Sequence, residues 1–315
     1  MASRFGYGEA LVELGDSNDR VVAVGVDVTG STGVNLFADK FPGRFIQLGI
    51  AEQNALTVSS GLALSGLVPF VCGYSAFILG RAWDQIRNSV CYPDLNVKIA
   101  GSHSGVTVGP DGATHQAIEE ISLLRVLPNM KIIVPCDYEE AKQATHAMAA
   151  IQGPVFIRLC RVAMPIITSP NDKFEFGKAR VLSSGNDVAI IACGNMVYES
   201  LVSGEMLAKE GIQASVINVH TIKPLDEETI VQTVRRCGCA VTAEEHQIAG
   251  GLGGTISELL AKKYPVPMEM IGINDVFGES GEPEELLKHF SLKAEDICVG
   301  VRNVLKRKKS SVVNP

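Results

Sequence analysis

The sequence predicts an α/β protein of two layered domains, and three observations carry that expectation. Apolar runs alternate with helix-like segments along most of the chain. Those runs are apolar almost throughout rather than at every second position, as expected for strands buried on both faces of a parallel sheet. The alternation breaks once, in a polar stretch, and then restarts. With 315 residues there is enough chain for two cores.

The first domain is expected over 1–165, with a mostly parallel sheet. Its strands are predicted at 21–28, 68–73, 96–102, 131–136 and 154–159. Helices are predicted between them at about 7–15, 51–66, 76–91, 116–127 and 138–151. Residues 166–187 show no clean periodicity and read as a linker. A smaller second α/β domain is expected over 188–315. Its strands are predicted at 188–194, 214–220, 239–245 and 268–273, and its helices at 196–210, near 226–236, and from 250-GGLGG-254 to 263. The basic tail 306–315 is expected to fray. The stretch 15-GDSND-19 reads as a turn.

Composition excludes several classes. Hydrophobic residues make up 46% and charged residues 20%, which is ordinary for a folded globular chain. The formal net charge of -7 argues against nucleic-acid binding, although a local arginine cluster could still hold a small anion. The N-terminus lacks a basic region followed by an apolar core, so no signal peptide is expected. No run is long and apolar enough to span a bilayer. The eight cysteines are scattered apart from Cys237-Gly-Cys239, a spacing too tight for the usual zinc pairs. Reduced, buried thiols in a cytoplasmic protein are expected.

Four stretches could carry chemistry. In 48-LGIAEQNALTVSSGLALSGLVPFV-71, Glu52 opens an apolar helix and reads as packed among Ile50, Ala51, Ala55 and Leu56. A carboxylate there costs free energy unless a partner uses it. The stretch 101-GSHSGVTVGPDGATHQAIEE-120 is a Gly-rich loop after a predicted strand, the place where open α/β sheets hold ligands. It contains His103, Asp111 and His115. A single histidine is usually structural, whereas two in one such loop point to a site. Arg158 and Arg161 end a predicted strand, and the planar arginine fork suits phosphate; solvated surface charge is the plainer reading. Tyr74, Phe77 and Trp83 in 74-YSAFILGRAWD-84 would fit either a core or a flat ring. The 250-GGLGG-254 segment lacks a complete dinucleotide-binding pattern and reads as a close-packing helix start.

Together, IAEQN, the YSAF and RAWDQIR pieces, GSHSGVTVGPDGATHQ, TIKPLD and EEHQIAGGLGG resemble, in order and spacing, the C-terminal half of transketolase. The resemblance implies a pyrimidine-binding domain followed by a transketolase C-terminal domain. It also implies a thiamine diphosphate enzyme whose diphosphate-binding domain is a separate subunit, because the family's GDG motif with its downstream Asn is missing. That partner would hold Mg²⁺ and the diphosphate, in an assembly with two copies of each chain. By resemblance Glu52 meets a ring nitrogen of the aminopyrimidine, Phe77 stacks on that ring with Tyr74 beside it, and Asp27 lies near the cofactor. His115 and Asp111 meet the sugar hydroxyls and the reacting oxygen. Arg4, Ser31, His103 and Arg161 hold a sugar phosphate. Arg81 receives no firm role.

The implied reaction moves a two-carbon ketol unit from a ketose phosphate to an aldose phosphate, as in the pentose phosphate pathway. Pro110 and Ala113 depart from the family's commoner GEDGPTH pattern, which bears on loop shape more than on chemistry. Related thiamine enzymes remain as alternatives, namely deoxyxylulose-phosphate synthase and the β subunits of 2-oxoacid dehydrogenases. A non-catalytic assembly subunit is another, since fold alone does not prove function.

Overall fold

The computed structural model describes residues 1–313. Its strands are β1 (Val21–Gly25), β2 (Phe45–Gln47), β3 (Val68–Tyr74), β4 (Lys98–Ser102), β5 (Lys131–Ile133), β6 (Val155–Arg158), β7 (Arg180–Ser183), β8 (Val188–Ala192), β9 (Ala214–Asn218), β10 (Thr221–Lys223), β11 (Ala240–Gln247) and β12 (Met268–Ile273). The helices of the first half are α1 (Ser3–Ser17), α2 (Thr29–Thr32), α3 (Asn35–Lys40), α4 (Glu52–Leu64), α5 (Ser75–Gly80), α6 (Trp83–Gln85), α7 (Glu120–Arg125) and α8 (Tyr138–Ala150). Those of the second half are α9 (Met196–Lys209), α10 (Glu227–Cys237), α11 (Leu252–Lys263), α12 (Pro283–His289) and α13 (Ala294–Val313). None of these helices is long and apolar enough to cross a membrane.

Two sheets result. One has seven strands in the order β10-β5-β6-β4-β3-β1-β2, and the other has five in the order β12-β11-β8-β9-β7. The central strands β1, β3, β4 and β6 pair in parallel and are buried on both faces except at Tyr74, which matches their continuous apolar sequences. All eight cysteines are buried and unpaired.

The sheet edges hold two surprises. Strand β10 belongs in sequence to the second half, yet it pairs antiparallel with β5 of the first sheet. Strand β7 falls inside the stretch expected to be a linker and pairs antiparallel with β9. Both are short, so they leave little periodic signal. One apolar cluster accordingly spans the two halves, from Ile99 and Ile132 to Ile217, Ile222 and Leu252.

Three helices differ from expectation. The 76–91 segment breaks into α5, α6 and a π-helical turn over Ile86–Cys91. The 116–127 segment is helical only over α7. Its first residues form an extended strap, with Gly105 N donating to Ala117 O at 2.7 Å and Gln247 N to Ile118 O at 2.7 Å. Backbone pairing on both sides outcompetes helix there. The basic tail is not frayed up to Val313. Val301 and Val304 are buried, and Lys308 Nζ donates to Cys237 O at 2.6 Å; residues 314–315 lie outside the described residues. The 15-GDSND-19 stretch begins as the end of α1, where Ser17 Oγ donates to Glu13 O at 3.0 Å and the cap residue Asn18 donates its N–H to Leu14 O at 2.9 Å.

The two halves meet over a buried polar seam. Arg158, at the end of β6, is 3% exposed, which removes it as a free phosphate ligand. Its Nε donates to Glu120 Oε1 at 2.5 Å, and its Nη2 donates to Glu245 O at 2.7 Å. Glu245 in turn accepts from Thr107 N at 2.6 Å and from Asn195 Nδ2 at 2.5 Å. His246 Nε2 accepts from Ile121 N at 3.1 Å while its Nδ1 meets Gln247 O at 2.6 Å, which selects the neutral Nδ1–H tautomer. The GGLGG segment opens α11, and Glu244 caps it by accepting from Leu252 N and Gly253 N at 2.6 and 2.7 Å.

Breaking one side of this seam leaves a buried charge unpaired. Arg158→Met is expected to lower stability by about 3–5 kcal/mol, and adding Glu120→Gln to recover part of the loss. Urea unfolding checks this; an unchanged midpoint would show that the seam does not hold the halves together.

Candidate active site

The seam fixes the base of a site at the carboxyl edge of the first sheet. Strand β3 ends on Tyr74, β4 is followed by His103, and β6 is followed at three residues by Arg161. Helix α4 begins on Glu52. Parallel strands deliver these side chains to one edge because all their carboxyl ends point the same way.

Four rings form the centre. Tyr74 lies 4.1 Å from the His103 ring, centroid to centroid, and its hydroxyl donates to Ser31 Oγ at 2.9 Å. Phe77 lies 6.3 Å from Tyr74 and meets His115 edge-on at 4.9 Å. His115 is half-buried, and its Nδ1 contacts Thr114 Oγ1 at 2.9 Å. His103 is buried, has φ 58°, and pairs through Nδ1 with Ser102 Oγ at 2.9 Å. The left-handed backbone turns the chain sharply off the strand end.

Glu52 is buried, but differently from the sequence expectation. Ala55 and Leu56 are buried beside it on α4, whereas Ile50 is 74% exposed. The carboxylate is also not alone. Arg81 Nη1 donates to Glu52 Oε1 at 2.8 Å, and the same guanidinium lies over the Phe77 ring at 4.3 Å. Arg81 is therefore the site residue that sequence reasoning missed. Its position four residues after Phe77 was the available signal, since such pairs share a helix face.

A cationic set flanks the rings. Burial, and then repulsion from Arg161, lowers the pKa of Arg4, while Tyr74 acts in the opposite sense. Arg4 Nε is buried without a partner. Arg161 donates to Val108 O and lies 3.7 Å from Asp111 Oδ2. Burial, with the charges of Arg4 and Arg161 behind it, depresses His103 to about 3, so its imidazole is neutral at ordinary pH. Two arginines with an orphaned buried donor fit an anionic group. The aromatic face beside a buried carboxylate fits a flat, nitrogen-bearing ring.

Two expected residues stand apart from the rings. Asp27 is exposed with φ 65°, and its backbone N–H is held by Gln47 Oε1 at 2.9 Å. Asp111 is exposed and faces Arg161. The loop carrying Asp111 and His115 is pinned by a second missed residue, buried Gln116. Its Nε2 donates to Val106 O at 3.0 Å and to Glu279 O of the second half at 2.8 Å. Among the described residues no group of three His, Cys, Asp or Glu side chains is placed to hold a metal ion.

Fold and edge cluster together define a two-unit α/β protein that gathers four rings, a buried carboxylate and two arginines at its strand ends. The family follows from comparison. Residues 1–166 match the transketolase pyrimidine-binding domain, and residues 177–297 match the transketolase C-terminal domain. The chain belongs to the transketolase family.

Among its relatives is a Methanocaldococcus jannaschii protein described as a transketolase C-terminal section, 44% identical over 96% of each chain. Another is a 6-deoxy-6-sulfo-D-fructose transketolase subunit of Clostridium sp. strain MSTE9, 41% identical over 96% of this chain and 94% of that one. A third is an apulose-4-phosphate transketolase subunit of Phocaeicola vulgatus, 39% identical over 95% of this chain and 96% of that one. A solved structure described as a split gene transketolase, inactive β4 tetramer, superposes with a TM-score of 0.92 at 45% identity, covering 98% of this chain and 99% of that one.

The depressed His103 pKa has a measurable consequence. The unfolded imidazole takes a proton near pH 6.5, whereas the folded one resists until about 3. Its contribution to stability is complete above pH 6.5 and is lost as the pH falls from there toward 3. In an NMR titration, His103 should show no midpoint above pH 5; a midpoint near 6.5 would mean that the ring is solvated.

Proposed function

We propose that this chain is the pyrimidine-binding and C-terminal subunit of a two-chain, thiamine diphosphate-dependent transketolase. With a separate diphosphate-binding subunit it transfers a two-carbon ketol unit from a ketose phosphate to an aldose phosphate. The observation that carries this reading is the buried Glu52 carboxylate at the start of α4, joined through Arg81 to the face of Phe77. A related β4 tetramer described as inactive, and relatives described as subunits, support the dependence on a partner. On this reading the units are 1–165 and a C-terminal unit that begins with β7, so the joining segment is shorter than 166–187. The partner holds most contacts to Mg²⁺ and the diphosphate, two copies of each chain assemble, and the enzyme works in the cytoplasm.

The chain's own groups would act as follows. Glu52 accepts a hydrogen bond from a ring nitrogen of the pyrimidine, an interaction strengthened where water is excluded. Phe77 and Tyr74 fix the plane of the ring. Neutral His103 offers a ring nitrogen to the sugar phosphate without adding charge. His115 holds or moves a proton at the reacting oxygen, and Asp111 orients a sugar hydroxyl. Arg4, Arg161 and Ser31 receive the phosphate. When bound, the cofactor supplies the electron sink for the two-carbon fragment.

The second reading concerns the sugar. Relatives are described as acting on a sulfonated fructose and on apulose 4-phosphate. An arginine pair recognises a sulfonate as readily as a phosphate, so an unusual anionic sugar is the alternative substrate.

The test is ketol transfer from xylulose 5-phosphate to ribose 5-phosphate by this chain mixed with a diphosphate-binding partner. Activity should need both chains, and full activity from this chain alone refutes the shared site. Glu52→Gln should lower kcat by roughly 100-fold or more with an unchanged circular dichroism spectrum. A normal rate in that variant removes the role given to Glu52.

A further inference from the structure

We propose that Arg81 is an internal stand-in for the pyrimidine ring, holding the ring's place in the free chain and swinging out when the ring loads. The proposal rests on the functional reading above and adds a competition within this chain that the reading does not contain.

The geometry is specific. A flat ring in this site needs two things from the chain: an aromatic face and a carboxylate at the ring's edge. One guanidinium takes both. It lies over Phe77 at 4.3 Å and donates to Glu52 Oε1 at 2.8 Å. A guanidinium is itself flat, delocalised and nitrogen-bearing, so it satisfies the same two partners by the same forces. Phe77's edge contact with His115 closes another approach to the ring. The guanidinium and a stacked pyrimidine therefore exclude each other on the face that Arg81 covers.

The anchoring of Arg81 suits such a switch. Its backbone is held at the end of α5, where its N–H donates to Phe77 O at 3.0 Å and its carbonyl accepts from Gln53 Nε2 at 3.0 Å. Its side chain is 49% exposed, whereas that of Glu52 is 6% exposed. The arginine can leave toward water without moving the backbone, while the glutamate stays. In the free chain Arg81 pairs with Glu52 at 2.8 Å, so the empty site carries no buried lone carboxylate. In the loaded site the ring replaces it. A ligand that must displace an internal competitor binds more weakly by the fraction of time the site is open.

The test uses the full chain assembled with its diphosphate-binding partner and titrated with thiamine diphosphate and Mg²⁺ in a calorimeter. Arg81→Ala should bind roughly 5- to 20-fold more tightly than the wild type, the release expected for one half-exposed ion pair and one cation–π contact. Arg81→Lys, which restores a charge for Glu52, should return the affinity part of the way. In parallel, phenylglyoxal modification of Arg81, read by peptide mass spectrometry, should rise when the cofactor is added.

Weaker binding by Arg81→Ala, or protection of Arg81 by the cofactor, would make it a direct ligand group and overturn the proposal. An unchanged affinity with unchanged modification would overturn it as well. Glu52→Ala separates the two layers of the argument. If that variant binds as well as the wild type, or if the wild type does not bind, the functional reading fails together with the proposal. If Glu52 is needed but Arg81 shows either contrary result, only the stand-in fails.

Discussion

The site depends on one buried guanidinium behind it. Arg158 is buried, so its charge must be met by protein. Glu120 from α7 and the Glu245 carbonyl from β11 meet it, and they come from opposite halves of the chain. Once Glu245 is fixed, its carboxylate reaches Thr107 N and Asn195 Nδ2 and so ties down the loop after His103. Gly105 shows how tight this is. It has φ 84°, and a Cβ there would collide with the Glu245 carboxylate. The same loop carries Asp111 and His115, so the second half positions site residues that it does not itself supply.

The seam also explains why the halves are less separable than a linker suggests. Strand β10 completes the edge of the first sheet, and Gln116 reaches from the site loop to Glu279. Against the effect of burial, Glu120 and Glu245 raise the pKa of Arg158, whereas burial dominates at Glu244 and His246. Glu244 is pushed up to about 8 against the pull of two backbone N–H groups at the start of α11. Burial lowers the pKa of His246, against the nearby charge of Glu120. Most of these groups pair only in one docked arrangement, although Glu120 Oε2 and Asn195 Oδ1 are buried without a hydrogen-bond partner.

Much of this was legible in the sequence, for physical reasons. Central parallel strands are buried on both faces, so 21-VVAVG-25 and 188-VAIIA-192 announce themselves as unbroken apolar runs. The loop 101–116 was visible because its glycines and histidines follow a strand. Edge elements were not visible, since β7 and β10 are short and take their pairing from distant partners. The strap at 116–119 looked helical because its apolar spacing is compatible with either state, and only its pairing to Gly105 and Gln247 decides. Tertiary pairing hid the roles of two arginines. Arg158 reads in sequence as a solvated charge or a phosphate ligand and is a buried strut, while Arg81, given no firm role, sits on the Glu52 carboxylate.

The central claim is that Glu52 and Phe77 form the pyrimidine half of a cofactor site completed by a second chain. The most direct measurement is a structure of this chain assembled with its diphosphate-binding partner and thiamine diphosphate. The claim predicts the aminopyrimidine stacked on Phe77 with a ring nitrogen within hydrogen-bond distance of Glu52, and the diphosphate on the partner. A ring bound away from Phe77, or a diphosphate held by this chain alone, would contradict it.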